Sequence, residues 1–197
     1  MIAVIDVCGN NLKSLTNALQ TLGHDYCLTH DKQTLRKAHH VFLPGVGHAK
    51  TAMQALLDHD LVDTITRLTQ PVLGICLGMQ LLYEFSEEGE TAGLGLIPGK
   101  VKRLDAVNGY PVPHMGWNQL HWQKTTSLNH GLQEKPYGYF VHSYAVAVDE
   151  YTLASTDYSQ DISAIVQRDN FFGMQFHPEK SAQTGLILLT NFLQLEG

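Results

Sequence analysis

Cysteine is scarce in this chain: three in 197 residues, Cys8, Cys27 and Cys76, an odd number with no C-x-x-C spacing. That excludes a disulfide framework and a thiolate zinc site, and it points to a reducing compartment, the cytoplasm. Positive charge is also in short supply, with 13 Lys and Arg against 19 Asp and Glu and a net charge of -6. The densest basic cluster, Lys100, Lys102 and Arg103, is too short to displace counterions from a phosphate backbone, so nucleic acid is excluded as a partner. No apolar run approaches the length of a membrane span, and Met1-Ile2-Ala3-Val4-Ile5-Asp6 lacks the basic flank of a signal peptide. The chain therefore reads as soluble and untargeted. It has no internal repeat, low-complexity tract or linker, and 44% hydrophobic residues suit one well-buried domain covering 1–197.

What the sequence does contain is an alternation of short β-branched runs and longer segments of helical period, the pattern of an α/β fold. Ile2 to Val7 reads as a first strand. Asn10 or Asn11 then caps a helix with Leu12, Leu15, Leu19 and Leu22 on one face, stopped by Gly23. Val41 to Leu43 is a second strand ending in Pro44-Gly45-Val46-Gly47, followed by helical spacing from Ala49 to Leu68. Pro71 to Ile75 is a central strand running into a helix from Leu77 to Tyr83. Further on, strands are expected at 139–148, 152–155, 162–167 and 171–176, with a turn at Asp169-Asn170 and a closing helix from Gly185 to Leu195. The expected architecture is a single-domain, mixed but mainly parallel sheet flanked by helices.

The informative motif is Gly74-Ile75-Cys76-Leu77-Gly78, a G-x-C-x-G where the buried strand meets the helix. A sharp strand-to-helix turn strains the central residue, and glycines two positions away on either side remove Cβ atoms that would clash. This is a cysteine nucleophile elbow. The helix start also offers unpaired N–H groups and a positive dipole end, which favour a thiolate. A cysteine in an apolar run is usually a packing residue; the flanking glycines argue for chemistry instead.

A thiol nucleophile needs a base. Among the 11 histidines, His39, His40, His48, His59, His121 and His130 show no metal-ligand spacing. His177 is different, because Phe176-His177-Pro178-Glu179 falls at the end of an expected strand, where open α/β sheets build their sites. Pro178 keeps His177 out of helical conformation. Residues two apart in an extended stretch share a side, so Glu179 can orient the imidazole while His177 takes the cysteine proton. The Leu77 N–H is the expected first oxyanion donor. The second comes from the 44–47 loop, at Val46, where Gly45 and Gly47 permit close approach or a flipped peptide.

These residues resemble the class I, triad-type glutamine amidotransferases, through G-I-C-L-G-M-Q at 74–80, F-H-P-E at 176–179 and the upstream strand–PGVG–helix element. The resemblance covers essentially the whole chain. Its finer features, P-G-V-G-H-A at 44–49, P-H-M-G-W-N at 113–118, Y-F-V-H-S-Y at 139–144 and H-P-E-K-S at 177–181, are similar to the glutaminase subunits of imidazole glycerol phosphate synthases. The resemblance implies a thioester on Cys76, with His177 as base and acid and Glu179 as orienter. It implies that Gln80, Glu88, Gly47 and the backbone at Val141, His142 and Ser143 hold glutamine. It further implies that Asn10, the segment His114-Met115-Gly116-Trp117-Asn118 and Lys180 face a (βα)₈ synthase subunit that receives the ammonia, and that no metal or organic cofactor is needed. No nucleotide or phosphate motif is present, so the acceptor substrate belongs on the partner. Three other readings stand beside this one: an amidotransferase for another acceptor, a thiol peptidase or esterase on a similar elbow, and a binding domain with a structural cysteine.

Overall fold

The computed structural model describes residues 1–7 and 12–196. The first strand is shorter than expected: β1 is Ile2–Ile5. Helix α1 (Lys13–Thr21) buries Leu15, Ala18 and Leu19 and ends as expected at Gly23. There φ is +78°, and the N–H groups of Gly23 and His24 close on the carbonyls of Gln20 and Leu19 in the helix-ending motif that favours glycine. Asn10 and Asn11, the expected caps of this helix, lie outside the described residues, as does the partner-facing role expected of Asn10.

Two elements follow that the sequence pattern did not reveal, β2 (Tyr26–Thr29) and α2 (Lys32–Lys37). Strand β2 is half-exposed along its length, so it lacks the apolar alternation that marks a strand. Helix α2 is announced by Asp31, whose carboxylate accepts from the Thr34 N–H at 2.8 Å, a short-range cap. Strand β3 (His40–Gly45) is longer than its apolar centre. The helical stretch expected at 49–68 is two helices, α3 (Ala49–Asp58) and α4 (Val62–Thr66). Between them Asp60 takes a φ of 51°, which no helix continues through.

Strand β4 (Val72–Cys76) runs without a loop into α5 (Leu77–Leu81). The helix stops short of the expected Tyr83, which instead opens β5 (Tyr83–Ser86). Then come β6 (Thr91–Ala92), β7 (Ile97–Arg103), β8 (His114–Gln119) and β9 (His121–Trp122). The strand expected at 139–148 is broken into β10 (Tyr137–His142) and β11 (Tyr144–Ala145), which join different sheets. Strands β12 (Thr152–Tyr158), β13 (Gln160–Arg168) and β14 (Phe171–Met174) precede α6 (Ala182–Leu193), which begins earlier than Gly185.

The main sheet has eight strands in the order β2-β1-β3-β4-β14-β13-β12-β9. From β2 to β14 the neighbours are parallel, and β13, β12 and β9 add antiparallel pairs, the mixed, mainly parallel sheet expected. Two smaller sheets are formed by β10-β8 and by β11-β7-β5-β6. Strand residues alternate between two cores, as a pleat requires. Ala3, Ile5, Val41, Leu43 and Val72 pack on one face, and Ile2, Val4, Phe42, Leu73 and Ile75 on the other. No helix among the described residues is long and apolar enough to cross a membrane.

Candidate active site

The elbow forms because backbone packs on backbone. A Cβ on Gly78 would sit 1.7 Å from the Leu43 carbonyl oxygen, and one on Gly74 2.6 Å from the Gly78 oxygen. A Cβ on Gly45 would lie 2.8 Å from the Gly78 nitrogen. Three glycines therefore let β3, β4 and the first turn of α5 meet without side chains between them. The strain is held at Cys76, whose φ of 54° and ψ of -111° are sparsely populated for a residue with a Cβ, a conformation costing about 1–3 kcal/mol that surrounding packing must sustain. The same contacts press the Pro44–Gly47 loop against Leu77.

Cys76 ends β4, and its neighbour in the sheet is β14, registered with Gly173 beside Gly74 and Met174 beside Ile75. Continuation of β14 brings Gln175 and His177 alongside the elbow. His177 is buried and extended, but Pro178–Lys180 is a 3-10 turn and not the extended stretch expected, and this turn carries the Glu179 Oε1 to 2.8 Å from the His177 Nδ1. Burial works against charge on this imidazole. Hydrogen bonds to Cys76 and Glu179, and the charge on both, overcome that and push its pKa up to about 10. An imidazolium formed at this position is thereby stabilised between the sulfur and the carboxylate. The second oxygen of Glu179 is buried without a hydrogen-bond partner among the described residues, so the imidazolium is the main compensation for that carboxylate.

A cleft of about 380 Å³ opens over the sulfur, lined on one side by Val46, Gly47, Leu77, Gln80 and Glu88 and on the other by Pro113, Val141, His142, Ser143, Tyr144, His177 and Lys180. It thus brings together every residue expected to act on glutamine, apart from Glu179, which sits behind His177. The break at Ser143 explains the far wall. As the chain leaves β10 for β11 its backbone turns over the elbow, and the Val141 carbonyl accepts from the Cys76 thiol at 3.7 Å. Glu88 is not merely a solvated charge, since its carboxylate accepts from the Ala49 N–H at 2.7 Å and so caps α3 from the rim of the cleft.

The His142 side chain turns away from the cleft into a buried pair with His114, which is 2% exposed and so does not face a partner as expected. Its Nδ1 faces the Tyr144 carbonyl at 2.8 Å, its Nε2 faces the His114 Nδ1 at 2.9 Å, and the Asn118 amide nitrogen lies 3.3 Å from the His114 Nε2. A carbonyl can only accept, so His142 carries its proton on Nδ1, His114 donates from Nδ1, and both rings are neutral. Burial depresses both, to about 3 for His142 and about 4 for His114.

On the opposite face of the β8–β10 ribbon, Met115 is 63% exposed, Trp117 55% and Tyr137 41%. Trp117 packs edge-on against Tyr139 at 5.8 Å, so it is a surface side chain and not a core tryptophan. Lys180 is exposed next to the cleft. Residue patterns alone did not single out Gln175, fully buried beside the sulfur, or the cleft residues Pro113 and Tyr144. Gln175 carried a signal: it stands two residues before His177, the same spacing that singled out Glu179.

A strained cysteine at a strand-to-helix elbow, with a His–Glu pair just beyond the neighbouring strand, is the arrangement of a thiol acyl-transfer site on an α/β fold. The glutamine amidotransferase class-I family matches residues 3–195, and the chain belongs to that family. It is 60% identical over 196 residues to imidazole glycerol phosphate synthase subunit HisH 2 of Legionella pneumophila strain Lens, covering 100% of this chain and 98% of that one. It is also 48% identical to the HisH subunit of Idiomarina loihiensis, over 98% of this chain and 97% of the relative. A solved structure of a glutamine amidotransferase superposes with a TM-score of 0.74 at 19% identity, covering 98% of this chain and 97% of that one, which shows the shared fold. Within its family the chain stands with the HisH subunits of imidazole glycerol phosphate synthase.

Proposed function

We propose that this chain, as one amidotransferase domain over 1–197, is the glutaminase subunit of a cytoplasmic imidazole glycerol phosphate synthase in histidine biosynthesis, with Cys76, His177 and Glu179 as its catalytic residues. The observation that carries the assignment of residues is the continuous chain from carboxylate to imidazole to sulfur at the floor of a cleft. The Cys76 proton passes to His177, and the thiolate attacks the side-chain carbonyl carbon of glutamine. The Leu77 N–H and the backbone of Val46 are the donors proposed for the oxyanion, each worth about a hundred- to a thousandfold in rate. As the C–N bond breaks, His177 protonates the leaving nitrogen and ammonia departs. The neutral imidazole then takes a proton from water, hydroxide adds to the thioester, and sulfur leaves as thiolate, giving glutamate.

Substrate selection follows from the cleft walls. Both N–H bonds of the Gln80 amide are spent, on the Tyr144 carbonyl at 2.8 Å and the Gln175 Oε1 at 2.9 Å. Its remaining carbonyl oxygen and the Glu88 carboxylate supply acceptors for the α-ammonium group of glutamine. Backbone at Gly47, Val141, His142 and Ser143 serves its other polar atoms. The exposed ladder of Met115, Trp117 and Tyr137, beside Lys180, suits docking of a (βα)₈ synthase subunit, with Asn10 a further contact. Aromatic anchors of this kind dominate many interfaces.

The test is glutamate production by the purified chain, alone and with the synthase subunit and its nucleotide ligand. Cys76→Ala is expected to abolish glutamine-dependent synthesis while synthesis from added ammonium salts continues. Glutaminase activity surviving in that variant would overturn the assignment of Cys76.

A further inference from the structure

Beneath the sulfur lies a pair of buried amides whose orientation can be deduced. Gln80, on α5, and Gln175, just after β14, are 5% and 0% exposed. Gln80 meets the backbone carbonyl of Tyr144 at 2.8 Å. That carbonyl has no proton, so the Gln80 atom facing it is the amide nitrogen. The second N–H of the same nitrogen meets Gln175 at 2.9 Å, so the Gln175 atom facing it is oxygen. The nitrogen of Gln175 is thereby turned the other way, toward the Cys76 sulfur at 3.9 Å. One backbone carbonyl thus sets the sense of two side chains in series. Tyr144 O also accepts from the His142 Nδ1 at 2.8 Å, which anchors it from the far side.

We infer that Gln175 donates its amide N–H to the Cys76 sulfur during catalysis, with the Tyr144 carbonyl and the Gln80 amide as the groups that aim it. This rests on the reading of Cys76 as the nucleophile and adds a donor on the sulfur's buried side, opposite the substrate. A donor there favours thiolate over thiol before attack. It favours the same species again when the thioester breaks and sulfur leaves. Reversing the Gln175 amide would set two N–H donors against each other at Gln80, so the donor is held in place without substrate.

Two substitutions separate this role from simple packing. Gln175→Met fills the space and removes both polar atoms. Gln175→Glu keeps an acceptor for Gln80 but turns an oxygen toward the sulfur; because a carboxylic acid is the stronger acid, a shared proton then sits on sulfur. The other titratable groups around Cys76 stay unchanged in both variants: His177 and Glu179 on the β14–α6 connection, Lys180 after them, Glu88 across the cleft, and the neutral His142 on β10.

The measurement is the pH dependence of Cys76 alkylation by iodoacetamide, with glutamine turnover alongside. Gln175→Met is expected to lower the alkylation rate at neutral pH by about tenfold and move its midpoint up by about one pH unit, and Gln175→Glu to move it further. A role confined to anchoring Gln80 predicts the reverse order, with the Glu variant close to wild type, and that outcome overturns the inference. So does an unchanged profile in both variants. If neither folds, the side-chain amide resonances of Gln175 in the unsubstituted protein decide: they follow Cys76 titration if the contact exists and are flat if it does not. A Cys76 that resists alkylation at every pH would instead overturn the nucleophile itself.

Discussion

Alanine at position 78 asks for space that the backbone already fills. Its Cβ would lie 1.7 Å from the oxygen and 2.8 Å from the carbonyl carbon of Leu43, where ordinary carbon–oxygen contacts need about 3.3 Å or more. Leu43 cannot swing aside, because it sits in the β3–β4 ladder opposite Gly74. Relief therefore requires α5 to lift by roughly 1.5 Å, the shortfall between the two separations. Leu77 and the strained Cys76 go with it. Overpacking of this kind costs about 3 kcal/mol, a fall of roughly 6–12 °C in Tm for a chain of this size. Displacing the nucleophile and its proposed oxyanion donor by more than about 1 Å costs a further hundredfold or so in turnover. Gly131→Ala is the control, since Gly131 has a φ of +75° but open space around its Cβ position. It should cost about 1–2 kcal/mol from backbone strain alone and leave turnover unchanged. Thermal melts, coupled glutamine-dependent synthesis and Cys76 alkylation measure the two effects separately. A Gly78→Ala variant that melts within about 2 °C of wild type, well inside the expected fall, and turns over normally would refute the close-packed elbow.

The charge chain makes a graded prediction: His177→Ala should lower turnover more than Glu179→Gln, because the first removes the proton carrier and the second mainly its alignment. Pre-steady-state thioester formation at equal rates in wild type and His177→Ala would remove His177 from the mechanism. For the β8–β10 surface, Trp117→Ala and Lys180→Glu should weaken association with the synthase subunit or lower the fraction of ammonia reaching product. Unchanged affinity together with unchanged product-to-glutamate ratios in both would reduce these residues to ordinary surface. The neutral pair of His114 and His142 predicts acid sensitivity. Their folded values of about 4 and about 3 lie below the unfolded value of about 6.5, so the unfolded chain takes up protons first. Their contribution is complete above pH 6.5 and drains away as pH falls toward about 4 for His114 and about 3 for His142. Urea titrations at pH 7 and pH 5 should show a smaller loss in His114→Phe than in wild type, and equal losses would count against the pair.

Local chemistry made much of the molecule legible. The helix stop at Gly23, the β4–α5 elbow and the alternation of apolar residues in the central strands all follow from interactions within a few residues, which a one-dimensional pattern records. The extended conformation of His177 before Pro178 is of the same kind, because proline acts on its neighbour; the 3-10 turn at Pro178–Lys180 that carries Glu179 back to the imidazole was not legible in that way. Edge elements escaped for a matching reason: β2 is half-exposed, so burial imposed no alternation on it, and α2 is short and depends on a single Asp31 cap.

Partners distant in the chain were decided by tertiary structure. Cys76 and His177 meet because β14 lies beside β4 in one register, a pairing that the hydrophobic pattern leaves open among several buried strands. The far wall of the cleft exists because the run from 137 to 145 divides between two sheets at Ser143, although its β propensity is continuous. Trp117 became a surface residue through the same ribbon, whose inner face is filled by His114, Phe140 and His142. The direction of the Gln175 amide depends on a carbonyl reached only through Gln80. Residue types and short-range periods determined which side chains could do chemistry here; sheet register and backbone crossings, set by contacts far apart in the chain, decided which of them face one another.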